Sequence, residues 1–211
     1  MEHECVVFRG PAHGLAASAL AAAVLSAYVA TTAPSVPGGD SGEMMQIAAE
    51  LGVAHPPGYP TWTMLAHAFT WLPTGEVGWR INLSSAVCGA LASGFLVAAV
   101  ADWSGCIWTG IAAGGAFAFA PLVWLYAVQA EVFALNNLCN ALLLFLLARF
   151  SRSPTLANGC AGAWAIGLGM TNQHTIGCTY FSYQQTDINQ FDRAACSFCH
   201  EHKAVGIPMK S

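Results

Sequence analysis

Long apolar runs separated by short polar joints set the pattern of this chain. From Leu15 to Thr32 the run LAASALAAAVLSAYVATT is apolar, and no charge occurs between Gly10 and Gly39, enough to cross ~30 Å of hydrocarbon. It is the first predicted span; a cleaved signal peptide is the competing reading of an N-terminal run rich in small residues. Asn82–Ala101, stopped by Asp102, is the second predicted span, Cys106–Tyr126 the third and Val132–Ala148 the fourth. Leu156 to about Met170 is a fifth, Gly/Ala-rich and borderline in length. Tyr59–Leu72, YPTWTMLAHAFTWL, is apolar and aromatic but interrupted by His67. It is too short to span, so an interfacial or re-entrant helix is expected, with Trp62 and Trp71 at the headgroup level. The pattern predicts an all-α polytopic membrane protein of about five spans.

Composition agrees with that picture. Hydrophobic residues make up 55% of the 211 positions, charged residues only 9%, and the mean hydropathy is +0.52, whereas about a quarter of a soluble domain is charged. The net charge of -4 offers no basic face, which disfavours nucleic acid as a partner. Cys88, Cys106, Cys139 and Cys160 lie in apolar runs, where a thiol behaves as a small hydrophobe, and are poor disulfide candidates.

Polar chemistry concentrates in Pro34–Pro60, PSVPGGDSGEMMQIAAELGVAHPPGYP, which gathers Asp40, Glu43, Glu50 and His55 between two Pro/Gly-rich turns. Pro37-Gly38-Gly39 breaks the preceding run, and a short helix starts at Ser41 with Asp40 as N-cap and Glu43 at its third position, the reciprocal spacing of a capping box. Capping alone accounts for the pair; it is also compatible with presenting a carboxylate to a substrate. His55-Pro56-Pro57-Gly58-Tyr59-Pro60 forces an extended turn.

Leaving the short Tyr59–Leu72 segment out of the count puts Arg9, Arg149 and Arg152 on one side, which the positive-inside rule assigns to the cytoplasm. Counting it as a span instead moves Arg149 and Arg152 outside and leaves Arg80 in. The first solution brings Asp40, Glu43, Glu50 and His55, then Gln129 and Glu131, then Asn172 and His174, to one non-cytoplasmic face. Singly, Gln129 and Glu131 read equally well as a solvated loop end, and Asn172-Gln173-His174 as a polar helix end. Asn136, Asn137 and Asn140 inside the fourth run need partners, which interhelical hydrogen bonds would supply. Asn82-Leu83-Ser84 matches a glycosylation sequon but abuts a span. The tail changes character: Cys196-Ser197-Phe198-Cys199-His200-Glu201-His202 has the spacing of c-type haem attachment and enough thiol and imidazole for zinc, a weak signal without a second knuckle.

The run from Pro34 to Pro60, AVQAEVFALNN from Ala127 to Asn137 and GLGMTNQHT from Gly167 to Thr175 resemble the protein O-mannosyltransferases of the transmembrane-protein-260 type. The resemblance implies the N-terminal part of a GT-C-like helix bundle over residues 1–175, with a first lumenal loop at 33–81. Residues 176–211 depart from the resemblance and are expected to be a divergent, poorly ordered polar tail, as in a truncated or alternatively spliced form. It implies a multi-pass glycoprotein of the endoplasmic reticulum membrane that moves mannose from dolichyl phosphate mannose to Ser/Thr hydroxyls, notably in IPT domains of plexin-type receptors. No cofactor or metal is expected beyond that lipid-linked donor. Its catalytic position matches Asp40, with Glu43 the neighbouring candidate; His55, Tyr59, Arg80, Gln129, Glu131, Asn172 and His174 complete the candidate substrate-binding set. The rival readings are a polytopic transporter or channel lined by Asp40, Glu131 and His174, and an inactive scaffold.

Overall fold

The computed structural model describes residues 11–177, and all regular structure among them is helical. Arg9, the Cys196–His202 cluster and the expected polar tail beyond residue 177 lie outside these residues. The first run folds as α1 (Pro11–Thr31). The polar stretch holds α2 (Ser41–Glu50), and the aromatic segment is α3 (Pro60–Thr70), opened by proline at its first position. The second run extends into the long α4 (Val77–Ser104), closed by Gly105 in the left-handed region.

The third run is not one helix. It breaks into α5 (Ile107–Ala118) and α6 (Pro121–Ala127), bent by 67°. Pro121 has no N–H to continue the ladder and its ring disfavours a helical residue before it. The break frees backbone carbonyls, and the Tyr28 hydroxyl of α1 donates to one of them, Ala118 O, at 2.6 Å. The fourth run is α7 (Val132–Arg152) and the fifth is α8 (Leu156–Met170), whose 15 residues fall short of a full span. Among the described residues three helices, α1, α4 and α7, are long and apolar enough to cross a membrane, or four segments if the bent pair counts as one, against the five expected.

α4 is the central post: α1, α5 and α7 pack along it, and α8 packs on α7. Small residues let these backbones close. A Cβ on Gly110 would stand 2.5 Å from Val97 O and 2.9 Å from the Ala101 methyl, so α5 reaches α4 only because glycine is there. The outward faces carry Leu15, Leu91, Trp108, Leu122 and Trp164 exposed, the arrangement of a bundle whose solvent is lipid. Cys106 departs from expectation: it is disulfide-bonded. It precedes α5 at the joint after Gly105 rather than lying inside a span.

The two ends of the bundle differ. At one, Asp102 of α4 joins α1 and α7: His13 Nδ1 lies 3.3 Å and Arg152 Nη1 2.9 Å from its Oδ1, and Arg152 also donates to the Asp102 carbonyl. At the other, α2 and α3 cover the start of α4. The core there is built from Met44, Ile47, Trp62, Ile81, Leu135 and Leu143. Trp62, expected at the headgroup level, is buried in this core, because α3 turns it onto α4; Trp71 is 75% exposed.

Candidate functional site

The loop after α1 is fixed to the bundle before the acidic residues begin. Asn82, fully buried in the first turns of α4, donates through Nδ2 to Ala33 O (2.8 Å) and Ser35 O (3.0 Å), while Ala33 N donates to Val128 O (3.0 Å). The sequon asparagine is thus an anchor.

Asp40 is the N-cap of α2 as the spacing predicts, but the capping box does not form: its side chain makes no cap hydrogen bond. Asp40 has helical angles, φ -79 and ψ -1, where an N-cap normally is extended. Its carboxylate is exposed and accepts no hydrogen bond among the described residues. Glu43 turns instead to His55. Its Oε1 accepts from the His55 backbone N–H at 3.0 Å, and both carboxylate oxygens lie 3.1–3.2 Å from His55 Nδ1. The backbone bond first, then the ring bond, holds the Glu43 carboxyl below the usual carboxylate range.

The turn behind His55 is wound tightly. Gly58 (φ +97) donates its N–H to His55 O at 2.9 Å, and Tyr59 sits at φ +44, a left-handed conformation that a bulky residue adopts only under constraint. The Tyr59 ring meets the His55 ring edge-on, centroids 5.5 Å apart.

Glu131 enters from the far side of the sequence. It is the extended residue preceding α7, only 8% exposed, and its backbone carbonyl lies 3.5 Å from the Ser85 hydroxyl of α4. Burial, then the neighbouring charge of Asp40, pushes its carboxyl above the usual range, and His55 partly offsets them. Asp40, His55, Tyr59 and Glu131 line one cleft with Met44, Val132 and Phe133, of about 40 Å³. That is room for a water or a hydroxyl group, not for a hexose.

The remaining candidates sit around this cleft. Asn172, 1% exposed, donates to Val132 O at 3.3 Å and docks the end of α8 beside Glu131. Gln129 is half-buried two residues before Glu131, and His174 is exposed beyond α8; neither lines the cleft. Arg80 is engaged elsewhere: its guanidinium donates to Thr70 O, Thr74 O and Gly75 O, closing the end of α3. Asn136 in α7 accepts from Thr175, a turn residue beyond α8, at 3.4 Å rather than from a second helix, and Asn140 donates within α7 to Asn136 O at 2.9 Å. Sequence reasoning missed Met44, Val132 and Phe133 as walls, although the last two lie within the AVQAEVFALNN motif.

Comparison with known proteins shows the family. Residues 40–183, beginning at Asp40 itself, match the family described as the protein O-mannosyl-transferase TMEM260 N-terminal domain. The chain is similar to protein O-mannosyl-transferase TMEM260 of Mus musculus, 44% identical over 163 residues, covering 75% of this chain and 23% of that protein. It is also similar to protein O-mannosyl-transferase tmem260 of Dictyostelium discoideum, 37% identical over 165 residues, covering 71% of this chain and 20% of that protein. The chain thus spans between a fifth and a quarter of the length of these relatives. No solved structure matches. The family match runs through the cleft, from Asp40 and His55 to Glu131 and Asn172, and the chain belongs to the TMEM260 N-terminal domain family.

Proposed function

We propose that this chain supplies the acidic cleft of a protein O-mannosyltransferase. The donor is dolichyl phosphate mannose, the acceptors are Ser/Thr hydroxyls of IPT domains in plexin-type receptors, and the site faces the lumen of the endoplasmic reticulum. The observation that carries the reading is the Asp40 carboxylate, left without a hydrogen bond among the described residues at the mouth of a cleft.

A Ser/Thr hydroxyl is a weak nucleophile. As its oxygen attacks the anomeric carbon, its proton passes to Asp40; the bond from that carbon to the phosphate oxygen breaks, and its electron pair leaves on dolichyl phosphate. The leaving group needs charge stabilisation more than a proton; of His55, Arg80 and His174, His55 lines the cleft. The small cleft houses the reacting groups, while the sugar and lipid need surface beyond it. A transporter site belongs near the bilayer midplane at broken helices, whereas this cleft lies at the ends of α1, α4 and α7.

The test is purified chain with dolichyl phosphate mannose and an IPT-domain acceptor. Asp40→Asn is expected to lower transfer by about 10²- to 10⁴-fold; a variant that keeps full transfer removes Asp40 as the base.

A further inference from the structure

The cleft walls are acidic, yet the proposed donor brings a phosphate. Asp40 and Glu131 line it, and Glu43 stands just behind. A phosphate approaching two carboxylates is repelled unless a cation or a directed donor meets it. Among the lining residues His55 alone has a side chain able to carry positive charge. Arg80 is tied to three backbone carbonyls, and His174 lies outside the cleft.

His55 is not a loosely held side chain. Its backbone N–H and its ring Nδ1 both converge on Glu43, and its ring is braced edge-on by Tyr59. With Nδ1–H donated to a carboxylate, the charged ring carries its second proton on Nε2, which is then the N–H left to donate to an anionic ligand, the acidic neighbour fixing its direction. Resting on the mannosyl-transfer reading, we infer that Glu43 is a positioning residue which locks His55, and that His55 Nε2 binds the phosphate of the lipid-linked donor and of the departing lipid phosphate. The groups facing the ring are Glu43 of α2, Tyr59 before α3, Asp40 before α2 and Glu131 before α7. A protonated ring therefore has three carboxyl groups around it, those of Glu43, Asp40 and Glu131. The Glu43 carboxyl, held below the usual range, stays ionised for this task across neutral pH.

The proposal assigns Glu43 and Asp40 different work although they stand three residues apart. Asp40 handles the acceptor's proton; Glu43 acts only through His55.

The experiment is nitrogen NMR of ¹⁵N-histidine-labelled full chain in nanodiscs, with the His55 signals assigned by their loss in His55→Gln. The wild type is expected to show protonated Nδ1, and Glu43→Gln, whose amide can donate, to lose that preference. Titration with a short-chain polyprenyl phosphate is expected to move the Nε2 signal, with affinity about tenfold weaker in both Glu43→Gln and His55→Gln. A parallel titration with inorganic phosphate separates lipid-borne from free phosphate: equal affinity for the two overturns the lipid-donor assignment. A neutral ring protonated on Nε2, or polyprenyl phosphate that does not bind or binds all three proteins equally, overturns the dyad. These readouts need no turnover, so they separate from the transfer reading: Asp40→Asn with undiminished transfer sinks the base while leaving the dyad standing.

Discussion

At the scale of single residues, two carboxyls on neighbouring elements respond to acid in opposite senses. Glu43 is depressed by its His55 hydrogen bonds, so its contribution to stability is present above the ordinary carboxylate pKa and is lost as pH falls through its lower folded value. Glu131 is raised by burial beside Asp40; between its ordinary and folded values the native state binds more protons than the unfolded chain, so stability falls as pH rises through that window. Above its folded value the full penalty is in place. Glu131→Gln is therefore expected to unfold at a higher temperature than wild type at pH 7, the gap closing below the ordinary carboxylate range; thermal unfolding followed across pH checks the sign.

Among the elements, Asn82 shows how a helix holds a loop in register. Replacing it with alanine leaves the Ala33 and Ser35 carbonyls without their buried donor, and a loss of about 2 kcal/mol is expected from denaturation of Asn82→Ala, with the α1–α2 loop more open to protease. Much of the element plan was legible: apolar runs marked α1, α4 and α7, and Asp40 marked the start of α2, because hydrophobic length and turn chemistry are local signals. The break between α5 and α6 was written at Pro121 but masked by the unbroken apolar run around it. The capping box failed because Glu43 found a partner in His55, twelve residues on, and no local rule sees across the PPG turn. For the same reason Trp62 and Trp71 looked alike in sequence, though only packing against Ile81 and its neighbours decides which is core. At the site, the convergence of Asp40, Glu131 and Asn172 followed from counting spans, whereas the withdrawal of Arg80 to the end of α3 depended on where three carbonyls happen to point.

For the whole molecule, the His13–Asp102–Arg152 cluster and the acidic cleft mark opposite ends. Glycosylation acceptor tags near Glu50 and after Arg152 are expected to be modified only at the first position; the reverse pattern would put the cleft in the cytosol and end the lumenal reading. The two ends are also unequal in height. Asp102 meets Arg152 at the last turn of α7, and Ser85 meets Glu131 just before its first, so the part of α4 from Val77 to Leu83 overhangs its neighbour by roughly 10 Å at a rise of ~1.5 Å per residue. That overhang works like a pier: it carries α2 and α3 out past the first turn of α7, and on the mannosyl-transfer proposal a polyisoprenoid carrier would berth beside them with its tail still submerged.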